Sequence, residues 1–316
     1  MRRLTALLGI AWLLVAAARP AAAMCPVIDA MGAFWPLAAR AATLSPPEQA
    51  ATFRAEVVAR FPQLYTGDVL GAESIRELDR LAVASLTATR KDGPKGRAVE
   101  HDLTGSLPGF LVRFQRTFPD FRCDFPIYLM ASLGVLDGAG RDISGRPALV
   151  LGVDTIAHFE KPQGMPILIA HELFHRYNFQ AAGFSDDPGD RQAIWRTLWA
   201  EGLATYVSGR LNPGTSLGDV LFSHDLARRG PPMIRALAAA LRKNDAPDPP
   251  LYAEYFEGGS AAARAAGIPE RAGYYVGYRV VQLLSMRHSL YQLAHLRGPP
   301  LHREIDLALD ELAGRR

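Results

Sequence analysis

Apolar residues recur at helical spacing along the first part of the chain. Residues 45–48 (SPPE) place a serine, two prolines and a glutamate at positions typical of a helix start, and Phe53, Val57 and Phe61 follow on one face. Similar spacing predicts helices over about 72–88 and from Pro108 to Thr117. We expect these helices to form scaffold, and we attach no chemistry to them.

The pattern changes between residues 126 and 153. Two apolar runs, 126–133 and 148–153, predict strands, and Asp137-Gly138 and Ser144-Gly145 between them are typical of turns. An apolar helix should then run from Pro166 to near Gly183. The following helix should span about 190–210 and end at 212–214 (NPG).

The remaining pattern predicts helices over 217–227, 232–241 and about 272–287, with a loop at 245–250. The expected fold class is therefore α+β, mainly helical, with a small sheet next to the helix at 166–183. No low-complexity linker or internal repeat divides residues 24–316. We expect a single domain, with an N-terminal helical part over about 45–120.

The first 23 residues resemble a secretory signal peptide. Arg2 and Arg3 precede an apolar run from Leu4 to Ala18, and residues 21–23 (AAA) fit a cleavage site. The run is shorter than the roughly 20 residues of a membrane-spanning helix. We therefore expect an exported protein, periplasmic or secreted, with no stable membrane span. A lipoprotein processed at Cys25 is a weaker alternative, because Met24 is a poor residue for that processing.

Charge and cysteine content narrow the classes of partner. Without Arg2, Arg3 and Arg19, 32 basic and 32 acidic side chains remain, so nothing in the bulk charge favours nucleic acid. The basic stretch at 90–97 contains two glycines and a proline and is expected to be a solvated loop. Cys25 and Cys123 are the two cysteines. In an oxidising compartment they favour one disulfide, with two separate thiols as the alternative.

His171, Glu172 and His175 form an HExxH pattern on a predicted helix. Side chains four residues apart share a helix face, with Cβ atoms about 5–6 Å apart, so two imidazoles can converge on one ion. Glu172 can then reach a water whose pKa the metal lowers, and act as general base. Two incidental histidines are the alternative. The surrounding run is so apolar that unpartnered polar groups there would be costly, which favours the metal.

Glu201 is the expected third ligand. Catalytic zinc usually has three protein ligands and one open position. Glu201 interrupts an apolar segment of the next helix, and Gly202 behind it suggests close backbone packing, for which the His helix is the natural partner. Three acidic residues, Asp186, Asp187 and Asp190, are competitors in a loop. A third histidine in an HExxHxxGxxH arrangement is excluded, since Asn178 and Ala181 stand at the required positions.

HExxH followed by a helix with EGLA at 201–204 resembles the gluzincin clan of thermolysin-like zinc peptidases. Within it, the chain is similar over about 50–290 to a poorly characterised bacterial family of predicted zinc-dependent proteases. The similarity includes the segments 118–121 (FPDF), 126–129 (PIYL), 151–154 (LGVD) and 273–278 (GYYVGY). This resemblance implies a zincin-like fold and one zinc ion held by His171, His175 and Glu201, with Glu172 as base. Thr205 departs from it, because thermolysin-like enzymes carry an aspartate there.

Hydrolysis of a peptide bond also needs a donor to the developing oxyanion. Tyr278 is the first candidate, Tyr274 the second and His224 a weak third, and an aromatic core stripe is the alternative role for the tyrosines. The resemblance to thermolysin-like enzymes also implies that the strand near 149–153 holds an extended peptide by edge pairing. The predicted function is zinc-dependent hydrolysis of a peptide or protein substrate. The alternatives are a non-catalytic exported zinc-binding protein and a zinc hydrolase acting on a non-peptide amide.

Overall fold

The computed structural model describes residues 25–159, 164–183, 192–243, 245–258 and 260–315. The expected signal peptide and the competing acids Asp186, Asp187 and Asp190 lie outside these residues. Within them the chain is mainly helical with one small sheet, as predicted. The helices are α1 (Phe34–Arg40), α2 (Pro46–Glu56), α3 (Gly67–Leu70), α4 (Ile75–Thr117), α5 (Val153–Phe159), α6 (Met165–Ala182), α7 (Ile194–Leu211), α8 (Leu217–Val220), α9 (His224–Ala240), α10 (Pro249–Tyr255), α11 (Ala261–Ala265), α12 (Ala272–Leu284), α13 (Leu290–His295) and α14 (Gly298–Leu312).

The sheet contains β1 (Val27–Asp29), β2 (Ile127–Met130), β3 (Gly138–Asp142) and β4 (Pro147–Gly152), in the order β1-β2-β4-β3. The first three in that order are parallel, and β3 is antiparallel to β4. The two predicted strands are confirmed as β2 and β4. The turn predicted at Asp137-Gly138 is wrong, because Gly138 opens β3. Its sequence, GAGRD, lacks the apolar alternation that identifies strands.

The two N-terminal helices predicted over 72–88 and 108–117 are parts of the single helix α4. The basic stretch at 90–97 is exposed, as expected, but it is helical rather than a loop. Gly96 contacts the indole of Trp35, where a Cβ atom would lie 2.5 Å from the ring, and Val99 and Leu103 continue the buried stripe. Packing against α1 therefore overrides the low helix propensity of glycine and proline.

Several other boundaries follow their local signals. At α2, Glu48 accepts hydrogen bonds from the backbone nitrogen (2.8 Å) and the hydroxyl (2.6 Å) of Ser45, as the capping pattern predicts. The helix α6 ends at Gly183, whose φ of 65° lies in the left-handed region. In contrast, the helices predicted over 217–227 and 232–241 are replaced by the short α8 and by α9, which carries Pro231 and Pro232 internally.

A disulfide joins Cys25 to Cys123, so the predicted pairing is confirmed. It ties the residues before β1 to the segment that leads into β2, the neighbouring strand. A three-residue edge strand has few hydrogen bonds of its own, and the covalent tie limits its freedom in the unfolded chain. Among the described residues, no helix is long and apolar enough to cross a membrane.

The helices α7 and α12 cross at two glycines. A Cβ atom on Gly202 would lie 2.5 Å from the Cα of Gly277, and one on Gly277 would lie 2.8 Å from the Cα of Gly202. The prediction that Gly202 allows close backbone packing is therefore confirmed. The expected partner was wrong, because Gly202 faces α12 rather than the His helix α6. This contact fixes which face of α12 is turned towards α7. It therefore also fixes the position of α12 relative to Glu201, the residue before Gly202.

Replacing Gly277 with alanine should destabilise the protein by about 1–3 kcal/mol, because the added methyl group would overlap the backbone of α7. Urea unfolding followed by circular dichroism measures this. Gly105 on α4 is the matched control, since a Cβ atom there meets nothing within 4 Å. Gly105→Ala should be neutral or stabilising by up to about 1 kcal/mol. Equal stability of the two variants would contradict the proposed crossing.

Candidate metal centre

Two histidines of α6 converge on one point. His171 and His175 lie one helical turn apart, and their Nε2 atoms are 3.0 Å from each other. Both belong to the apolar helix, and the His171 residue is only 3% exposed. Burial lowers the pKa of His171, which favours the neutral ring that can donate a lone pair to a metal. The HExxH prediction of two imidazoles on one helix face is therefore confirmed in its geometry.

Glu201 of α7 completes the group. Its Oε2 atom lies 3.3 Å from Nε2 of His171 and 3.4 Å from Nε2 of His175. Burial alone would raise the pKa of Glu201, but the charges and hydrogen bonds of His175 and His171 hold that pKa well below its usual value. The carboxylate is thus ionised beside the two rings. One ligand atom from each residue lies within 4.8 Å of the other two.

The donor set of this group fits a metal ion. Neutral imidazole nitrogens and a carboxylate oxygen all present lone pairs, and such atoms repel one another at 3.0–3.4 Å unless a proton or a cation lies between them. A divalent cation would satisfy all three at once. His171, His175 and Glu201 can therefore bind a metal ion, which is what the sequence predicted for these residues.

Glu172 lies beside the group, against the edge strand. A Cβ atom on Gly138 of β3 would lie 2.5 Å from Cγ of Glu172 and 3.1 Å from its Cδ, so glycine at this position leaves room for the carboxyl group. Burial raises the pKa of Glu172 to about 7, to which Asp137 and Glu201 contribute. A carboxyl group that titrates near neutrality is suited to accept and return a proton.

The two candidate tyrosines have different positions. The ring of Tyr274 lies 6.3 Å from that of His171, at 19° between their planes, and Tyr274 lines the cavity beside the metal group. Tyr278 packs 5.6 Å from Tyr206 and is not among the described residues that line this cavity. Tyr274 rather than Tyr278 is thus the candidate oxyanion donor that lines the cavity. Tyr278 lies one further turn along α12, beyond the part of the helix that reaches the cavity.

His224, the third candidate donor, also lies elsewhere. It is exposed at the start of α9, with Nε2 3.4 Å from Oδ1 of Asp219, and it does not belong to the described lining of the cavity. The ring instead packs over Gly218, where a Cβ atom would lie 2.8 Å from Cε1. His224 therefore packs at the junction between α8 and α9.

The cavity itself has a volume of about 980 Å³. The metal group and Glu172 line it together with β3 and Thr66, and with Tyr252, Arg271 and Tyr274. Sequence patterns did not identify Asp137, Tyr252 or Arg271 as site residues. They come from the residue before β3, from α10 and from the residue before α12, and no motif links such distant positions.

The free strand beside the cavity is β3, not the strand near 149–153. β4 is hydrogen-bonded on both sides, to β2 and to β3, so it has no edge for a peptide. β3 is the edge strand on the side of the sheet away from β1, and Gly138, Ala139 and Gly140 also line the cavity. We expected the accessible edge on the strand near 149–153, and this was wrong. The sequence of β3 lacks the apolar alternation by which the edge strand could have been recognised.

The residues that support the two histidines differ from those of thermolysin-like enzymes, which carry an aspartate at the position of Thr205. Thr205 is fully buried, and neither its Oγ1 atom nor Nδ1 of His171 has a hydrogen-bond partner among the described residues. Support for the His helix comes instead from behind. The FPDF segment contributes Phe118, whose ring lies 4.5 Å from Tyr177, and Asp120, which accepts a 2.7 Å hydrogen bond from the hydroxyl of Tyr177.

No family model, curated protein or solved structure matches this chain. The resemblance to the gluzincin clan therefore stays a prediction from the motifs. The evidence for the site is the geometry of the described residues.

Removing one ligand should abolish metal binding. We expect His175→Ala, purified like wild type, to lose stoichiometric metal, because two remaining donors hold a divalent ion weakly. Metal content by plasma mass spectrometry measures this. His224→Ala is the matched control, since that ring is exposed and outside the group, and it should keep the metal. Chelation should also lower the melting temperature of wild type by several degrees and leave that of His175→Ala unchanged. Full metal content in His175→Ala would contradict the assignment.

Proposed function

We propose that the protein is a zinc-dependent peptidase. The observation that carries this proposal is the convergence of His171, His175 and Glu201 within 4.8 Å of one another, at a cavity that also holds Glu172. A structural metal site normally has four protein ligands and no opening. Three protein ligands facing a large cavity leave a coordination position for water or substrate.

Two imidazoles and one carboxylate with an open position form a donor set that catalytic zinc uses. When bound, zinc polarises a carbonyl group and makes an adjacent water more acidic. At His175 burial lowers the pKa, but the neighbouring Glu201 and Glu172 raise it above its usual value. The chain's own contribution at the other two donors is to keep them deprotonated. Burial does this for His171, and the paired imidazoles do it for Glu201.

Glu172 is proposed as general base and then general acid. It follows His171 directly, so its carboxyl group flanks the metal ligands without competing for the same position. In the ionised form it takes a proton from the attacking water, and in the protonated form it returns that proton to the leaving amine. The contact of Gly138 with its side chain restricts the carboxyl group to this wall of the cavity.

Tyr274 is proposed as the donor to the oxyanion of the tetrahedral intermediate. Burial raises the pKa of Tyr274, with a further contribution from Glu201, so the hydroxyl keeps its proton and can donate it in a hydrogen bond. The glycine crossing of α7 and α12 holds α12, and with it this tyrosine, at the cavity that Glu172 also lines. Tyr278 stays outside this role.

We infer the substrate class from the free edge of the sheet at β3. A peptide in extended conformation can add to β3 through main-chain hydrogen bonds, as edge strands allow. Gly138, Ala139 and Gly140 of β3 line the same cavity as the metal group, so an added chain would lie beside that group. A disulfide and the signal-like N-terminal sequence support export to the periplasm or the outside of the cell.

Glu172→Gln should reduce hydrolysis of a generic protein substrate such as casein by at least about 100-fold, because general acid–base catalysis is worth about 10²–10⁴ in rate. Its zinc content should stay at that of wild type. Hydrolysis is measured as release of labelled peptides, and metal by mass spectrometry on the same samples. Glu311→Gln, an exposed residue of α14, should keep full activity.

Other outcomes of this experiment point to the alternatives. A zinc-loaded wild type that cleaves no member of a broad peptide library would contradict the peptidase proposal and favour a binding protein. Release of amine from non-peptide amides alone, again dependent on Glu172, would identify a hydrolase of a different substrate class.

A further inference from the structure

Arg271 places a guanidinium group in the wall of the cavity, next to the metal group. It lines the cavity together with Tyr274, and its Cζ atom lies 4.1 Å from the centre of that ring. The ring of Tyr274 in turn lies over that of His171. The guanidinium of Arg271, the ring of Tyr274 and the ring of His171 therefore form one stack. Its last member, His171, is a candidate metal ligand.

Within the described part of the chain, no carboxylate forms an ion pair with Arg271. Its strongest partner is Tyr274, with which it shares a side-chain hydrogen bond, and Glu201 and Asp137 act on it electrostatically. The other two arginines of the cavity are engaged differently. Arg141 donates to the carbonyl oxygens of Val69 (3.1 Å) and Gly140 (3.0 Å), and the guanidinium of Arg176 lies over Phe125. Arg271 is the cavity arginine that stacks on Tyr274, whose ring lies beside that of His171 in the metal group.

The backbone conformation at Arg271 indicates that the arginine side chain has a role that a glycine at this position could not fill. Its φ of 57° lies in the left-handed region, which costs energy for any residue with a Cβ atom and which glycine adopts freely. Directly before α12, a glycine would satisfy the turn with less strain. The strained position instead carries an arginine, which aims into the cavity beside Tyr274.

We propose that Arg271 binds a carboxylate of the substrate, adjacent to the scissile bond. This inference rests on the proposed peptidase function and names its substrate class: peptides with a free carboxyl terminus or an acidic side chain next to the cleaved bond. A guanidinium binds a carboxylate through two parallel hydrogen bonds, a geometry that lysine cannot reproduce. The aromatic rings of Tyr252, Phe256 and Tyr274, which lie 5.8 and 6.3 Å apart in succession, form a rigid backing for that end of the cavity.

Two matched pairs of peptides test the proposal and separate the two sources of carboxylate. One pair differs only in a free or amidated carboxyl terminus, and the other only in glutamate or glutamine beside the cleaved bond. We expect wild type with zinc to cleave the acidic member of at least one pair about tenfold or more better in kcat/KM, the size of a hydrogen bond to a charged group. Arg271→Gly, which relieves the left-handed strain, and Arg271→Met should reduce that preference to about twofold or less. Both should keep their zinc.

A binding measurement makes the test independent of catalysis. Zinc-loaded Glu172→Gln should bind the preferred acidic peptide about tenfold or more tightly than its neutral partner in calorimetry, and Glu172→Gln with Arg271→Gly should not discriminate. Arg303→Met, an exposed arginine of α14, is the control and should leave both preferences unchanged. Equal cleavage and equal binding within both pairs by wild type, or an unchanged preference in Arg271→Gly, would overturn the inference. Discrimination in binding without cleavage of any peptide would instead contradict the peptidase function and retain the carboxylate site.

Discussion

The proposed chemistry depends on the approach of three electron-donating atoms that repel one another unless a proton or a cation lies between them. Two come from one turn of α6 and one from α7, and they lie 3.0–3.4 Å apart. The rest of the fold keeps them together. The aromatic cluster around Tyr177 supports α6 from behind, and the crossing of Gly202 and Gly277 holds α12 against α7. A metal ion at this point would convert a locally unfavourable arrangement into a stabilising one.

The same two glycines connect the metal group with another part of the cavity wall. Because α12 approaches α7 so closely, Tyr274 reaches the level of the His171 ring, and Arg271 follows at the start of the helix. The edge strand β3 also lines the cavity, with glycine where Glu172 needs room. The candidate metal ligands, the proposed proton acceptor Glu172 and the proposed donor Tyr274 are thus carried by helices, and helices position side chains more precisely than loops do.

Much of the metal group could be predicted from the sequence, because its signals are local. The His171–His175 spacing is a property of one helix, and Glu201 is conspicuous in an apolar segment. The residues around the group could not be predicted, because their proximity is tertiary. β3 lacks an apolar pattern, Arg271 precedes a helix without a motif, and the choice between Tyr274 and Tyr278 depends on where α12 crosses α7. Long-range packing also explains why the Gly93–Gly96 segment is helical against Trp35.

The most direct test of the account is a crystal structure of the zinc-loaded protein, with anomalous diffraction recorded on both sides of the zinc absorption edge. The account predicts one strong zinc peak within coordinating distance of Nε2 of His171, Nε2 of His175 and a carboxylate oxygen of Glu201, with its remaining position open to the cavity. A peak at another site, or a Glu201 carboxylate turned away from both imidazoles, would contradict it.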